Sequence, residues 1–360
     1  MRKKLIDISW EDFQALPIND KVPYLSQADG IPYHTLFAQQ FDLELLERLG
    51  TLANSIRMIA KARSGMDFLQ QLISHKRAML YFSQPSSRTF LSFYSACQIL
   101  GMPIGEVRDP AISSEFKGES REDSVRTFSS YFDLIIMRSP QKGLAEHMSW
   151  VLSNTDRPIP VINAGSGHDQ HPTQALLDIY TLQRSFERVG GLRDRTVVMV
   201  GDLARGRTVR SLSQLLTNYP NIRQIFVAPP VFQIGEDIQK ILTAKGVDFE
   251  LTSDFHSVLP ESDAVYMTRI QDEWDDETHQ SRTVDTSGFK FGLRELDMIK
   301  PQTVILHPLP RRDEIAREVD RDPRAMYWRQ MRNGMWIRSA LIALTFGCEN
   351  RILEFYRANV

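Results

Sequence analysis

The sequence lacks the features that mark several classes of protein. Its 360 residues include two cysteines, Cys97 and Cys348, whose separation fits neither a metal-binding nor a redox motif, and a disulfide scaffold would be short and rich in cysteine. No apolar run approaches the ~18–20 residues that span a bilayer. Residues 1–13 begin with basic side chains but include three acidic ones, which is unlike a signal peptide. We therefore expect a cytoplasmic protein with no membrane partner.

An excess of charge of one sign is also absent. Lysine and arginine total 43 and aspartate and glutamate total 45, which gives a formal net charge of −2. A general nucleic-acid binder would carry a basic excess. A disordered chain would have a larger net charge and fewer apolar residues than the 42% found here. We expect no nucleic-acid partner, although a local cluster of cations is compatible with this total. The length exceeds what one hydrophobic core usually holds, so it predicts two domains.

The pattern of apolar residues predicts an α/β protein. Short apolar runs typical of buried strands lie at 78–82, 133–137, 160–162, 196–200, 225–228, 264–267 and 304–306. The spacing of apolar residues indicates helices at 42–59, 91–100, 172–184, 208–216, 235–244 and 338–346. Strands that alternate with helices imply parallel sheets that are covered on both faces.

The predicted fold class is α/β, with two doubly wound parallel-sheet domains, a linking helix and a C-terminal helix that returns to the first domain. We expect a first domain at 41–170, a second domain at 185–325 and a final helical part at 326–360. Residues 1–40 are expected to form an irregular extension, because three prolines interrupt them.

Polar clusters follow several predicted strands, where open α/β sheets bind their ligands. Residues 83–89 (SQPSSRT) combine hydroxyls and Arg88 with a helix N-terminus, which suits an anion, although an ordinary helix cap is an equally good interpretation. Arg138 follows a strand and, taken alone, is better interpreted as a surface arginine. His171 precedes a helix, whose dipole disfavours the imidazolium. A neutral ring there could donate to a carbonyl oxygen, and a capping histidine is a comparable interpretation. The histidines without a supporting motif, interpreted as structural or surface residues, are 34, 75, 147, 168, 256 and 279.

Two loops in the second half carry further candidates. Residues 201–208 (GDLARGRT) match the phosphate-loop pattern except that Arg207 replaces its lysine, so nucleotide binding is an alternative. A planar guanidinium is a poor substitute for a compact ammonium, and the segment lacks G-x-G-x-x-G. Arg269 lies just past another strand. Residues 307–311 (HPLPR) form a turn that two prolines make rigid, so it could present carbonyl oxygens to N–H groups of a ligand.

In their order along the chain, these segments resemble the aspartate/ornithine carbamoyltransferase family. The matching segments, spread over about 42–347, are PSSRTFLSF, FKGE, MRSPQ, INAGSGHDQHPTQALLD, VGDLARGRTVRSL, YMTRIQ and HPLPR. Pro308 and YMTRIQ favour the aspartate branch, because the ornithine branch would carry a cysteine in that turn. The resemblance implies that a carbamoyl group passes from carbamoyl phosphate to L-aspartate in de novo pyrimidine biosynthesis, without metal or cofactor. It also implies a homotrimer with shared active sites, and it assigns no regulatory or pathway partner.

The resemblance implies a role for each matching residue. The residues assigned to catalysis are Arg88, Thr89, Arg138 and His171. Those assigned to carbamoyl phosphate are Ser86, Ser87, Arg88, Thr89, Arg138, His171, Gln174, Leu309 and Pro310. Those assigned to aspartate are Lys117, Arg207, Arg269 and Gln271, with Lys117 reaching in from a neighbouring subunit and Ser113 accompanying it. The domain at 41–170 is thereby expected to bind carbamoyl phosphate, and the domain at 185–325 to bind aspartate.

The sequence also departs from the family pattern. Gln84 stands where an acidic residue is usual, and Phe90 replaces the second arginine of S-T-R-T-R. Ala204 and Arg205 replace a common Lys-Tyr pair, and Trp336 is bulky for its place. Three alternatives therefore stay open. They are a carbamoyltransferase for another amine, a carbamoyl-phosphate-binding paralogue without turnover, and a phosphate-loop nucleotide binder.

Overall fold

The structure is a computed structural model that describes residues 3–108, 118–167, 170–271 and 284–360. It divides into two compact units. Unit 1 comprises residues 1–173 and 334–360, and unit 2 comprises residues 174–333. Each unit contains one parallel sheet, which confirms the prediction of two parallel-sheet α/β domains. Within the described residues, no helix has the length and apolar character needed to cross a membrane.

Fourteen α-helices lie in the described part of the chain. The first eight are α1 Trp10–Ala15, α2 Ile18–Leu25, α3 Leu43–Ile59, α4 Arg63–Leu69, α5 Ser87–Ile99, α6 Arg121–Tyr131, α7 Leu144–Ser153 and α8 Pro172–Phe186. The others are α9 Arg207–Leu216, α10 Glu236–Ala244, α11 Phe255–Val258, α12 Leu293–Met298, α13 Tyr327–Thr345 and α14 Glu349–Asn359. The chain passes from unit 1 to unit 2 within α8 and returns within α13.

The sheet of unit 1 has four parallel strands in the order β2-β1-β3-β4. They are β1 Ala78–Phe82, β2 Ile104–Val107, β3 Leu134–Ser139 and β4 Val161–Ser166. Strands β1, β3 and β4 are buried along their length, and the apolar runs at 78–82, 133–137 and 160–162 predict where they lie. Phe82 of β1 lies opposite Arg138 of β3, so the loops that follow these strands start at the same edge of the sheet.

The return of the C-terminal helical part to unit 1 is confirmed, and α14 contacts helices α3 and α4 there. Arg48 of α3 forms an ion pair with Glu349, and its Nε lies 2.7 Å from Glu349 Oε1. The rings of Phe68 and Phe355 stack with centroids 4.0 Å apart. Helix α3 itself begins where the Asp42 side chain accepts a hydrogen bond from the backbone of the first turn. Residues 334–360 therefore complete the unit that the N-terminal half begins.

The prediction of an irregular N-terminal extension is wrong. Residues 10–15 and 18–25 are helices, and the side chains of Phe13 and Leu25 are fully buried in the core of unit 1. The Ser9 hydroxyl caps α1. Pro17 directly precedes α2, where its missing N–H removes no helical hydrogen bond. Pro17 thus marks the start of α2, whereas Pro23 lies inside that helix, and the apolar side chains of Phe13 and Leu25 are core residues.

The segment at 34–40 extends the sheet of unit 1 beyond its edge strand β4. Thr35 pairs with the strand in parallel, donating to the Val161 carbonyl at 2.9 Å and accepting from the Asn163 N–H at 2.8 Å. His34 is buried beside it, and its Nδ1 accepts the Val161 N–H at 3.1 Å. Its Nε2 lies 2.9 Å from the Ser153 hydroxyl. The edge of the sheet is therefore covered by the chain's own N-terminal segment.

Acid should destabilise this region through His34. Burial lowers the pKa of His34 to about 3, so below pH 6.5 the ring takes up its proton mainly in the unfolded chain. The free energy of unfolding should therefore fall by about 2 kcal/mol between pH 7 and pH 5 on account of this residue. Denaturant titrations at the two pH values should show that loss in the wild type. The loss should shrink by that amount in His34→Gln, and should be retained in His75→Gln, which changes an exposed histidine. An equal loss in His34→Gln would contradict the assignment.

The sheet of unit 2 has five parallel strands in the order β7-β6-β5-β8-β9. They are β5 Thr196–Val200, β6 Arg223–Val227, β7 Phe249–Thr252, β8 Ala264–Met267 and β9 Val304–Leu306. The strand order reverses on either side of β5, which pairs with β6 and β8. A ligand of such a sheet binds where the order reverses, outside the carboxyl ends of the strands. The loops after β5 and β8 therefore stand at the position where this fold binds ligands.

Candidate active site

In unit 1, the loop after β1 is fastened to the end of β3. The backbone N–H and the hydroxyl of Ser83 both donate to the Arg138 carbonyl, at 2.9 and 3.2 Å. Helix α5 then begins at Ser87. The Ser86 side chain makes no capping bond to this helix within the described residues, so the simple helix-cap interpretation does not account for it. Thr89 is buried in the first turn. Hydroxyl groups and a helix N-terminus thus lie together at one edge of the sheet.

Arg138 is a buried side chain with only 8% of its surface exposed, unlike the surface arginine of the alternative interpretation. Its Nη1 donates to the Ala164 carbonyl at 3.1 Å. Gly165 has φ +120°, and a Cβ there would lie 2.5 Å from Arg138 Nη1 and 3.4 Å from His171 Cδ2. A glycine is required at this position both by its backbone conformation and by the closeness of the guanidinium. The structure therefore brings Arg138 and His171 together around Gly165.

The loop that carries His171 is held by side-chain amides. Asn163 Oδ1 accepts the Gly165 N–H at 2.8 Å, and its Nδ2 donates to the Leu36 carbonyl at 3.1 Å. Gln170 Oε1 accepts the Ala38 N–H at 2.9 Å. His171 follows directly, 4% exposed, and α8 begins one residue later. The N-terminal segment at 34–40 therefore fixes the loop from both ends, a role that the sequence did not reveal.

In unit 2, Asp202 fastens the loops after β5 and β8 to each other. This fully buried carboxylate accepts from Arg205 Nε at 2.8 Å and from the Gln271 N–H at 3.1 Å. Burial raises the pKa of Asp202, although these donors and the charge of Arg205 oppose the rise. Arg207 is the first residue of α9, directly after one of the two loops that Asp202 joins, and Arg269 lies in the other loop. Sequence reasoning missed Asp202 as a site residue, and its signal was an acidic residue two positions after a buried strand.

The phosphate-loop alternative does not fit the hydrogen bonds of residues 201–208. The N–H groups of Leu203 and Ala204 both donate to the Phe232 carbonyl, each at 2.9 Å. A phosphate loop instead directs successive N–H groups at the phosphates of its nucleotide. The Arg205 guanidinium lies over the Phe232 ring, 4.9 Å from its centroid. The loop is therefore anchored to protein groups by the atoms that nucleotide binding would require.

The HPLPR turn is held from within by His307. Its Nδ1 accepts the Leu309 N–H at 2.7 Å, and its Nε2 therefore donates to Glu314 Oε1, also at 2.7 Å. Burial opposes the ionisation of Glu314, but the hydrogen bond from His307 helps to outweigh it, and the pKa of Glu314 is lowered. Leu309 has φ +55°, a left-handed conformation that is unusual for a branched side chain. The turn is therefore a fixed structure that presents its carbonyl groups in one arrangement.

Gln174 is linked to that turn through a buried carboxylate. Its Nε2 donates to Asp178 Oδ1 at 3.0 Å, and the same oxygen accepts Gln330 Nε2 at 2.6 Å. Gln330 Oε1 in turn accepts the His307 N–H at 2.9 Å. Burial, reinforced by the charge of Asp178, raises the pKa of the Tyr266 hydroxyl, which donates to Asp178 Oδ2 at 2.8 Å. Sequence reasoning missed Asp178, Gln330 and Tyr266 as site residues, and the only signal was that Asp178 stands four residues after Gln174.

Two departures from the family pattern have visible surroundings. Phe90 stands where the family has the second arginine of its motif. The guanidinium of Arg108 lies over the Phe90 ring, 4.4 Å from its centroid, so a cation from elsewhere in the chain lies next to this position. Gln84 Oε1 is buried without a hydrogen-bond partner among the described residues.

Lys117 and Ser113 lie outside the described residues. Over residues 3–108, 118–167, 170–271 and 284–360, no three His, Cys, Asp or Glu side chains form a group placed to hold a metal ion.

Family models and known proteins match the parts of the chain that contain both sheets. The family model described as "Aspartate/ornithine carbamoyltransferase, carbamoyl-P binding domain" matches residues 33–184, and the one described as "Aspartate/ornithine carbamoyltransferase, Asp/Orn binding domain" matches residues 193–345. A chloroplastic aspartate carbamoyltransferase of Pisum sativum is 41% identical over 306 residues, which cover 85% of this chain and 76% of that protein. The aspartate carbamoyltransferase catalytic subunit of Vibrio cholerae is 43% identical over 275 residues, covering 76% and 86%.

Solved structures give the same result at the level of the fold. Aspartate transcarbamoylase from Trypanosoma cruzi in complex with N-(phosphonacetyl)-L-aspartic acid has a TM-score of 0.78 and 33% identity, and the match covers 89% of this chain and 97% of that one. The catalytic subunit of M. jannaschii aspartate transcarbamoylase has a TM-score of 0.77 and 31% identity, covering 88% and 98%. Each match extends over most of both chains.

Proposed function

The chain belongs to the aspartate/ornithine carbamoyltransferase family, and we propose that it transfers the carbamoyl group of carbamoyl phosphate to L-aspartate. The products are N-carbamoyl-L-aspartate and phosphate, in a step of de novo pyrimidine biosynthesis. The observation that carries the proposal is the buried group of Arg138 and His171 around Gly165, beside the loop after β1. Such a group suits a small anion that also contains a carbonyl.

The phosphate of the substrate is assigned to the start of α5. Ser86, Ser87, Arg88 and Thr89 supply backbone N–H groups, hydroxyls and one guanidinium, all of which donate to phosphate oxygens. Arg138 binds the phosphate as well as the carbonyl oxygen, because a planar guanidinium offers several donors in a fixed arrangement.

Catalysis is assigned to donors that meet the carbonyl oxygen. The amine of aspartate attacks the carbonyl carbon, and negative charge develops on the oxygen before the bond to the phosphate oxygen breaks. His171, Thr89 and Arg138 stabilise that oxygen, and a single fixed donor of this kind is worth about 10²–10³-fold in rate. The departing phosphate takes the proton that the amine loses. No further base is required in this scheme.

The remaining assignments concern the carbamoyl NH₂ and the second substrate. Gln174 and the carbonyls of Leu309 and Pro310 accept from the NH₂. The residues proposed to bind aspartate are Lys117, Arg207, Arg269 and Gln271. Holding both substrates in a reactive orientation supplies about 7–11 kcal/mol of the barrier reduction. The carbamoyl phosphate domain at 41–170, the aspartate domain at 185–325 and the homotrimer in which a neighbour supplies Lys117 are parts of the same proposal. The cytoplasmic location stays a prediction, and the relatives include chloroplastic proteins.

A transfer assay separates this function from its alternatives. The purified protein is incubated with ¹⁴C-carbamoyl phosphate and, separately, with aspartate, ornithine or other amino acids. We expect labelled product with aspartate alone. Transfer to ornithine instead would identify a carbamoyltransferase for another amine, and binding of carbamoyl phosphate without any transfer would identify a paralogue without turnover. Calorimetry with Mg-ATP tests the remaining alternative, because heat of binding on addition of Mg-ATP would support a nucleotide-binding protein.

Neutralising the proposed aspartate ligands should weaken aspartate binding selectively. For Arg269→Gln we expect kcat/KM for aspartate to fall by roughly 10- to 150-fold, the range for the loss of a hydrogen bond to a charged group. The Kd of carbamoyl phosphate should be unchanged. Arg207→Gln should behave in the same way. Arg210→Gln is the matched control, because Arg210 lies on the same helix as Arg207 and pairs with exposed Asp237. An unchanged KM for aspartate in both site variants would reject the assignment.

A further inference from the structure

The side-chain amide of Gln174 has one orientation that its surroundings favour. Gln174 and Asp178 lie four residues apart on α8, where their side chains are neighbours. Gln174 is 7% exposed and Asp178 is fully buried. The contact of 3.0 Å runs from Gln174 Nε2 to Asp178 Oδ1. An ionised carboxylate can only accept hydrogen bonds, so it binds the NH₂ side of the amide and repels the oxygen side.

The carboxylate that selects this orientation is itself held in place. Tyr266 donates to its other oxygen at 2.8 Å, and Gln330 Nε2 donates to Oδ1 at 2.6 Å. Three donors from α8, β8 and α13 therefore meet one buried carboxylate. Such donors supply the hydrogen bonds that a buried carboxylate requires. Gln330 Oε1 also accepts the His307 N–H, and His307 Nδ1 accepts the Leu309 N–H. The hydrogen bonds of Asp178 are therefore connected to the turn that contains Leu309.

We propose that Asp178 is a positioning residue that keeps the Gln174 oxygen directed at the carbamoyl NH₂. In that orientation Gln174 accepts a hydrogen bond that an NH₂ group can supply and a methyl group cannot. Asp178 thereby sets the preference for carbamoyl phosphate over an acyl phosphate of the same shape. The inference rests on the proposed function, because it takes Gln174 as a ligand of the carbamoyl group.

Acetyl phosphate is the probe, since it replaces the NH₂ of carbamoyl phosphate by a methyl group. Its Kd and that of carbamoyl phosphate are measured by competition, and the ratio of the two is compared between variants. In the wild type we expect carbamoyl phosphate to bind about 100-fold more tightly, because acetyl phosphate leaves buried acceptors unpaired. In Asp178→Asn the neighbouring amide can offer either an oxygen or an NH₂ to Gln174, so its orientation is no longer selected. The ratio of the two Kd values should then fall by about tenfold, which is the effect of losing one hydrogen-bond acceptor for the carbamoyl NH₂.

The affinity for inorganic phosphate separates positioning from damage to the fold. It should stay within about twofold of the wild type in Asp178→Asn, because Ser86, Thr89 and Arg138 are untouched. Thr181→Val is the matched control. Thr181 is also buried on α8, and its hydroxyl accepts from Asn333 of α13 at 3.0 Å, so this change breaks another hydrogen bond between the same two helices. The ratio in Thr181→Val should equal that of the wild type.

Each outcome of this experiment is decisive. A tenfold lower ratio in Asp178→Asn with normal phosphate binding supports the inference. A ratio equal to the wild type, or an equal fall in Thr181→Val, overturns it. If Asp178→Asn does not fold, Gln330→Met takes its place, and it should lower the ratio by about threefold because the carboxylate loses one of its donors. An unchanged ratio there also overturns the inference. If the wild type neither binds carbamoyl phosphate nor transfers it, the proposed function fails first, and the inference fails with it.

Discussion

Replacing Arg138 by alanine is expected to lower kcat by about 10³-fold or more while the fold is retained. The guanidinium is assigned to both the phosphate and the carbonyl oxygen, and the loss of even one such donor costs about 10²–10³-fold. The change also removes the hydrogen bond to the Ala164 carbonyl, which should cost about 1 kcal/mol of stability. Initial rates of ¹⁴C-carbamoyl transfer and a denaturant titration measure the two effects separately.

Two further variants make the Arg138 experiment specific. Arg138→Lys keeps the charge without the planar arrangement of donors, so its rate should lie between those of the wild type and the alanine variant. Arg157→Ala removes an exposed arginine of the same unit that pairs with Asp133, and turnover should be normal. Normal turnover in Arg138→Ala would refute the assignment of this residue. A fall of similar size in Arg157→Ala would show that the assay responds to any lost arginine.

The second large effect is expected at His171. In His171→Ala, kcat should fall by about 10²–10³-fold, because the ring is proposed to donate to the oxygen that becomes negative. The KM for aspartate should change little, since the proposed aspartate ligands are other residues. His171→Gln retains an N–H donor and should recover part of the lost rate. His75→Ala changes an exposed histidine and should leave kcat unaltered. If His171→Ala turns over at the wild-type rate, His171 has no part in stabilising the carbonyl oxygen.

The sequence predicts the parts of the fold that are buried on both faces. Strands β1 and β5 are continuous apolar runs, and both lie inside their sheets. The edge strands β2 and β7 were not predicted. Their side chains are half-buried or exposed, so they lack the apolar run that identified the others. The helices at 10–15 and 18–25 were also not predicted. They are short, each has few apolar residues that reach the core, and the nearby prolines indicated irregular structure.

The candidate site, too, could be predicted only in part from the sequence. Motifs in the sequence identify the residues proposed to touch the substrates, because each lies in a loop after a strand. They do not identify what holds those residues, because the contacts depend on the folded chain. Asp178 and Gln330 are 152 positions apart in sequence, yet their side chains form a hydrogen bond. The phosphate-loop match at 201–208 fails in the same way. A local pattern cannot show that the Phe232 carbonyl accepts two of its N–H groups.

The interrupted sequence of unit 1 has a consequence for how the protein forms during synthesis. Unit 2 is one continuous stretch, 174–333, which leaves the ribosome before the last part of unit 1, 334–360. Helix α3 receives its partner α14 only after all of unit 2 has been synthesised, and until then its apolar side chains lack part of their cover. Domains generally fold as units when all their residues are present, and long-range contacts slow the process. We therefore expect unit 2 to become protease-resistant first on a stalled nascent chain. Unit 1 should follow only after residues 334–360 have left the ribosome.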